Sequence, residues 1–430
     1  MTSSPSPEPS PAIADLPVDE VRHRIEALVA RCGPGLPVAH VELGQALGRV
    51  LAQDVHSPFS VPPHDNAAMD GYAFDGGALR HGDGAMALQI IGRALAGAPW
   101  AGTLAAGQAV RIMTGAVMPA GADTVVPQEL CETDGAALRF ARDAVAIGAN
   151  RRRAGDDLCA GGLALARGER LGAAALGLLA SLGQTQVAVH QRLRVAVVST
   201  GDELLQPGQA LRAGAIYDSN GAMLAALVRQ LGCEWVDPGA APDQPQALAE
   251  RFTAAAAQAD VVISTGGVSV GEADHTRAAL AQTGELGFWH VAMRPGRPFA
   301  AGLLHRHGQA PALFLGLPGN PVAAMVSFLV FAREALLRLA GCRADVATLP
   351  PPVRARTRQA LRKRPGRTEY QRAVLRPVAG GLPEVDVAAN QSSAVLSAMV
   401  GANALVVLPH AQGGVQAGDE VDVLLLDALT

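Results

Sequence analysis

Apolar positions fall into distinct textures along the chain, and each predicts a different kind of element. In "VDEVRHRIEALVARC" they recur at helical spacing, with Asp19 and Glu20 in the first turn and Gly33 just past the end, which predicts a helix. From Val41 to about Ile147 short Val/Leu stretches are broken by Gly, Pro and Asp, the texture of a β-rich module. Asn150 to Leu179 returns to a turn followed by the helical "GAAALGLLASLG".

From Leu193 the pattern changes again. "LRVAVVST", "ADVVIST" and "ALFLGLP" are unbroken apolar strands, each followed by a glycine-containing turn. The segments "SNGAMLAALVRQLG", "ALAERFTAAAAQ" and "PVAAMVSFLVFAREALLRLAG" between or after them read as helices. Buried strands alternating with helices predict a parallel sheet covered on both faces, with ligands bound outside the carboxyl ends of its strands. "LPPPV" reads as a linker, and Val353 to Leu426 as a second β module. The expected architecture is multi-domain α/β plus β: a central parallel α/β ligand-binding domain, two β-rich modules and a small helical hinge domain. The boundaries follow the texture changes: a disordered tail over 1–15, the hinge domain over 16–56 plus 148–188, a β module over 57–147, the α/β domain over 189–342 and the last β module over 348–428.

Composition narrows the classes. At 430 residues the chain exceeds what one growing core supports, and 49% hydrophobic against 17% charged residues suits globular folding. Aromatics are only 3%, so Ala, Val and Leu must build the core. A net charge of −4 gives no general attraction to nucleic acid or anionic membrane. Cys32, Cys131, Cys159, Cys233 and Cys342 are scattered, odd in number and without a C-x-x-C pair, which fits buried thiols in a reducing compartment. "MTSSPSPEPSPAIADLP" has no apolar core and reads as a disordered tail rather than a signal peptide, and no apolar run is long enough to span a membrane. A soluble, cytoplasmic protein is expected.

The chemistry gathers at three turns: "STGDEL" (Ser199 to Leu204), "STGGVSVGEAD" (Ser264 to Asp274) and "GLPGNPV" (Gly316 to Val322). Gly266 and Gly267 permit close backbone approach, and Pro321 takes a first-turn position that needs no N–H. A strand, a glycine turn and a helix start make a cradle for phosphate. Any one such turn is ordinary βα chemistry, whereas three together point to a phosphate-bearing ligand. The turns also carry acids, with Asp202, Glu203, Glu272 and Asp274 on them and Asp243 in "APD". Carboxylates beside phosphate make sense where a divalent cation lies between them; Mg²⁺ takes one or two carboxylates plus phosphate oxygens. Helix-dipole preference accounts equally for Asp202 and Glu272, which leaves Glu203 and Asp274 as the metal candidates.

"HVAMRPGRPFA" supplies the counter-charge, with Arg294 and Arg297 flanking a Pro-Gly turn where guanidinium forks suit phosphate or another tetrahedral oxyanion. His290 reads as structural. In the basic stretch "RARTRQALRKRPGRTEY", Arg367 just after Pro-Gly is the member suited to a ligand; the rest reads as a solvated face. Lys363 there is the only lysine. Asp70 and Thr114, beside glycines in the first β module, read by chemistry alone as turn residues.

"DNAAMDGYAF", "RIMTGA", "NRRRAGDD", "STGDEL", "IYDSN", "STGGVSVGEAD", "RPGRPFA", "GLPGNPV" and "PGRTEY", in this order from Leu16 to Leu426, resemble the molybdopterin molybdenumtransferase family, to which the gephyrin E domain belongs. The resemblance implies a four-domain subunit in a homodimer and an α/β domain of the molybdopterin-binding type. It implies an enzyme that takes adenylylated molybdopterin and, with Mg²⁺ and molybdate, releases AMP and inserts molybdenum at the dithiolene. The molybdopterin adenylyltransferase is the implied partner. By motif, Glu203 and Asp274 look like metal ligands with Asp243 nearby. Thr200, Gly201, Gly266, Gly267 and Ser269 match the substrate turns, Arg294 and Arg297 the phosphate contacts, and Pro318, Gly319, Asn320 and Pro321 the last turn. Arg367 and Ser393 (in "NQSSAVLS") resemble molybdate-side residues. Asp157 matches the hinge acid, and Asp70 and Thr114 gain a role in closing the site of the neighbouring subunit. The chain departs from the family's common "KPGKP" by carrying Arg294 and Arg297, with His290 where a lysine often stands. Two other readings are the sister adenylyltransferase, which the flanking β modules argue against, and a non-enzymatic gephyrin-like scaffold, which the intact acid and arginine sets argue against.

Overall fold

A computed structural model describes residues 15–33, 35–81, 84–267 and 273–429, with the backbone alone at Ala273, Asp274, Phe288 and Trp289. These residues cluster into two compact units: one holds the chain up to Ala52, Arg167–Ala173 and Gln186 onward, the other Gln53–Ala166 and Ala174–Thr185. The tail predicted over 1–15 lies outside the described residues except Asp15, which is tied down by an ion pair to Arg297 at 2.9 Å and so is not free tail.

The first unit is built on a six-stranded sheet in the order Glu234–Val236, Arg194–Ser199, Val261–Thr265, Ala312–Leu317, Pro298–Leu304, Gly284–His290. The first four strands are parallel, and three of them, Arg194–Ser199, Val261–Thr265 and Ala312–Leu317, are the uninterrupted apolar runs of the sequence. Beyond them, Pro298–Leu304 runs antiparallel to Ala312–Leu317 and Gly284–His290 antiparallel to Pro298–Leu304, so an antiparallel edge extends the parallel sheet that the apolar runs predict. The segment between Gly284–His290 and Pro298–Leu304 is a short turn, too short for the crossover that a parallel neighbour needs. Every residue of Ala312–Leu317 is buried because helices cover both faces. Ser219–Gln230 and the helical run from Pro321 to Leu339 pack one face through Leu224, Val228 and Val326, while Pro245–Gln258 and Ala273–Thr283 pack the other through Leu248, Phe252 and Leu280. The predicted N-terminal helix forms at Val18–Val29 and buries Val18, Val21 and Ile25 in the first of these cores.

The same unit contains a closed barrel. Val353–Thr357, Thr368–Arg376, Glu384–Val387, Ala404–Leu408 and Glu420–Leu425 pair in a ring, because Thr368–Arg376 bonds both Glu384–Val387 and Ala404–Leu408. Closure removes free strand edges and encloses Ala355, Ala373, Val385, Val406 and Val423. One short strand from outside joins it: Met293–Arg294 runs parallel to Thr368–Arg376, with Met293 opposite Thr368 and Arg294 opposite Glu369. The second unit carries its own six-stranded sheet, centred on Gly71–Phe74, Gln108–Ile112 and Ala85–Ala94, with apolar cores on both faces. Among the described residues no helix is long and apolar enough to cross a membrane.

Candidate active site

Ser199, Thr265 and Leu317 stand opposite one another at the carboxyl ends of three adjacent parallel strands, so the three glycine turns leave the sheet from one row. Side chains then tie the turns together. Thr200 donates its N–H to the Thr265 carbonyl at 3.0 Å, and the Thr265 hydroxyl donates to the Pro318 carbonyl at 3.2 Å. Asn220, in the first turn of Ser219–Gln230, donates through one amide nitrogen to Thr265 Oγ1 at 2.8 Å and to the Gly319 carbonyl at 2.7 Å. Glycine is required where the turns meet: a Cβ at Gly266, whose φ is +90°, would lie 2.5 Å from the Thr200 carbonyl oxygen, and one at Gly267 would lie 2.7 Å from Thr276 Oγ1. Asn320 caps and Pro321 opens the next helix as the sequence predicts, although the Asn320 side chain makes no capping bond.

These turns form one wall of a cleft of about 1480 Å³, whose lining includes Thr200, Gly201, Gly266, Gly267 and Pro318 through Pro321. Asp202, Glu203, Asp218 and Asp243 bring carboxylates to the same cleft. Asp218 is committed, since it caps its helix through the Gly221 N–H at 2.8 Å. Asp243 is not: its Oδ1 comes within 3.5 Å of His275 Nδ1 without a hydrogen bond, and both atoms are buried without a hydrogen-bond partner. An unsatisfied carboxylate oxygen on Asp243 and the carboxylate of Glu203, lining one cleft, are donors of the hard oxygen type that Mg²⁺ takes together with phosphate oxygens. Among the described residues no cluster of three or more His, Cys, Asp or Glu could hold a metal. Ser269 and Glu272 lie outside the described residues, and Asp274 is described only as backbone in the first turn of Ala273–Thr283.

The same cleft is also basic. Arg294, Arg297, Arg364 and Arg367 line it with Gln391, Ser392 and Ser393. The ladder between Met293–Arg294 and Thr368–Arg376 is what brings the two arginine turns together. Glu369, 3% exposed, lies opposite Arg294 in that ladder and accepts a hydrogen bond from Arg367 Nε at 3.0 Å, so one buried carboxylate orients the second guanidinium. Arg297 directs its Nε to Asp15, at 3.1 and 2.9 Å from the two oxygens. Arg294 makes no ion pair among the described residues. Lys363 is buried, with Nζ donating to the carbonyls of Arg364, His410 and Gln412. Burial holds its pKa below the ordinary lysine value, and it serves the turn ahead of Arg367 rather than the ligand. Fully buried Arg372 similarly holds the Ser393 loop through the carbonyls of Ser392 and Asn390, at 2.9 and 2.8 Å. Ser393 in turn accepts the Val322 N–H on its own carbonyl at 3.0 Å.

Asp70, Thr114 and Asp157 belong to the second unit. Asp70 Oδ1 accepts both the N–H and the hydroxyl of Thr114, and Asp157 donates its N–H to the Val61 carbonyl at 3.0 Å. Asn220, Glu369, Arg364 and Arg372 were not singled out by sequence reasoning. Asn220 and Glu369 lie inside the quoted motifs "IYDSN" and "PGRTEY", which is the one signal that could have found them.

An α/β sheet with three glycine turns at its carboxyl edge, joined to a closed barrel that brings arginines to the same cleft, defines a multi-domain protein of mixed α/β and β architecture with a charged cleft. Comparison with known proteins names the family. Residues 16–183 match the MoeA N-terminal region (domains I and II), residues 196–338 the probable molybdopterin binding domain, and residues 354–426 the MoeA C-terminal region (domain IV). The molybdopterin molybdenumtransferase of Haemophilus influenzae is 38% identical over 384 residues, covering 89% of this chain and 93% of that protein. That of Nostoc is 37% identical over 394 residues, covering 90% and 88%. The crystal structure of the molybdopterin biosynthesis moeA protein from Pyrococcus horikoshii superposes with a TM-score of 0.78 at 26% identity, covering 96% of this chain and 100% of that one. The chain belongs to the molybdopterin molybdenumtransferase family, a family of transferases.

Proposed function

We propose that this chain inserts molybdenum into molybdopterin, cleaving adenylylated molybdopterin with Mg²⁺, releasing AMP and placing molybdate-derived molybdenum at the dithiolene. The observation that carries the reading is the sharing of one cleft by two opposed sets: carboxylates at the strand ends, and arginines and hydroxyls on the barrel side. The backbone at Thr200, Gly201, Gly266 and Gly267, with Ser269, receives the phosphate-bearing part of the ligand, and the turn from Pro318 to Pro321 shapes its floor. Arg294 and Arg297 bind phosphate oxygens. Arg367 and Ser393 hold molybdate, a dianion better met by a guanidinium fork and hydroxyls than by carboxylates.

Glu203 and Asp274, with Asp243 beside them, would hold Mg²⁺, whose charge neutralises phosphate oxygens as AMP departs. Asp70 and Thr114 act from the neighbouring subunit of a homodimer, and Asp157 is the acid of the hinge motif. The reaction belongs to the cytoplasm, with the molybdopterin adenylyltransferase as the source of substrate; the five free cysteines suit that compartment. The test is incubation of purified protein with adenylylated molybdopterin, Mg²⁺ and molybdate, assaying AMP release and cofactor formation. Asp274→Asn should slow AMP release by on the order of 10³. AMP release at the unmodified rate in that variant removes Asp274 from the metal set, and failure of the unmodified protein to release AMP removes the function.

A further inference from the structure

The amino ends of the same parallel strands border a second cavity, of about 960 Å³, within the range of small-molecule sites. Its lining carries Arg49, Arg167, Arg192, Arg194, Arg306 and Arg338, against two carboxylates, Glu234 and Asp260. Asp260 is shared between Arg194 at 3.3 Å and Arg306 at 3.4 Å, and Arg338 pairs with Glu26 and Glu334, each at 3.5 Å.

Two of the guanidiniums have no carboxylate among the described residues. Arg49 donates to the His190 carbonyl at 2.8 Å and Arg192 to the Gly232 carbonyl at 2.7 Å. Burial, then the charge of Arg192, holds Arg49 below the ordinary arginine pKa. His190 borders the same cavity. It is 7% exposed, and its Nδ1 lies 3.2 Å from the Leu36 carbonyl, which can only accept. Nδ1 therefore carries the proton, and Nε2 is left buried without a hydrogen-bond partner. Val29, Leu36, Leu193 and Leu339 give the cavity an apolar side.

We propose that this cavity is a second ligand site, which takes a small organic phosphate: Arg49 and Arg192 meet the anionic group, and the apolar side meets the organic body. Guanidinium forks in a partly enclosed site bind phosphate oxygens by charge-assisted pairs of hydrogen bonds. The site is at the opposite edge of the sheet from the carboxyl-end cleft, and it stands whether or not that cleft inserts molybdenum.

The test titrates the full chain by calorimetry with two probes, AMP and inorganic phosphate, in an Arg294→Ala background that weakens the first cleft. AMP should bind, and phosphate should bind more weakly because it lacks the organic body. Arg192→Gln, at an exposed position, should weaken AMP by about tenfold or more, the scale of a lost charge-assisted hydrogen bond. Arg192→Lys should recover part of that loss, and Arg49→Lys should weaken AMP without lowering the melting temperature. An AMP isotherm that Arg192→Gln leaves unchanged overturns the site, and equal affinity for AMP and phosphate overturns the organic body. If Arg294→Ala alone changes nothing while Arg192→Gln still does, the reading of the first cleft fails and this one survives.

Discussion

Asp70 accepts both the backbone N–H and the hydroxyl of Thr114 on one carboxylate oxygen, each at 2.7 Å. These bonds, the backbone one first, hold the Asp70 carboxyl below the usual carboxylate range. A carboxyl whose folded pKa is depressed contributes stability above its unfolded value and loses it as pH falls through the folded value. Thr114→Val removes one of the two donors, so Asp70 should titrate closer to the ordinary value of about 3.9 in a carboxyl-resolved NMR titration. An unchanged titration would falsify the assigned bond.

The proposed action of Asp70 across a dimer has its own check. Asp70→Ala and Asp274→Asn proteins should each be inactive alone and regain activity when mixed, because a mixed two-fold dimer contains one site with neither defect. No recovery after verified subunit exchange would place both residues in one subunit's site.

Glu369 orients Arg367 from a buried position, through one bond of 3.0 Å. Glu369→Gln should therefore raise the molybdate concentration needed for cofactor formation by about tenfold, the scale of a charge-assisted hydrogen bond, with nucleotide-pterin binding little changed. Arg367→Ala should do the same, whereas Arg294→Ala should weaken the phosphate end first. Titrating molybdate at saturating pterin substrate separates the two, and a normal molybdate response in Arg367→Ala puts the molybdate site elsewhere.

Asn220 joins the Thr265 and Gly319 turns through bonds of 2.8 and 2.7 Å. Asn220→Ala leaves the buried Thr265 hydroxyl short of a donor, a cost of about 1–3 kcal/mol, and loses the tie to the Gly319 carbonyl. A lower melting temperature and slower AMP release are expected together. Loss of stability with full turnover would make Asn220 a purely structural tie.

Thiol reactivity should follow burial. Burial pushes Cys32, Cys131 and Cys342 up to about 11 and Cys233 up to about 12, so few of these thiols are thiolates at neutral pH. Cys159 is exposed. Alkylation of the native protein at pH 7.5 (about a unit below a free cysteine's pKa) should label Cys159 first and the other four only after unfolding; mass mapping reads the order.

Much of the candidate site was legible because a strand, a glycine turn and a helix start are consecutive in the chain. Apolar runs predicted Arg194–Ser199, Val261–Thr265 and Ala312–Leu317, and their following glycines marked where a ligand could approach, all within a dozen residues at a time. Hydrophobic periodicity records which face of a segment is buried; it does not record which segment lies beside it. The tertiary structure alone decided that Met293–Arg294 leaves its own sheet to pair with Thr368–Arg376, so that Glu369 stands between two arginine turns more than seventy positions apart. It alone brought Asp15 onto Arg297 and added two strands, joined by antiparallel pairing, to the edge of the expected parallel sheet. The arginines of the second cavity, scattered from Arg49 to Arg338, carry no spacing that marks them in sequence. Their common field exists because the fold gathers the amino ends of the strands, and charge interacts through space rather than along the chain.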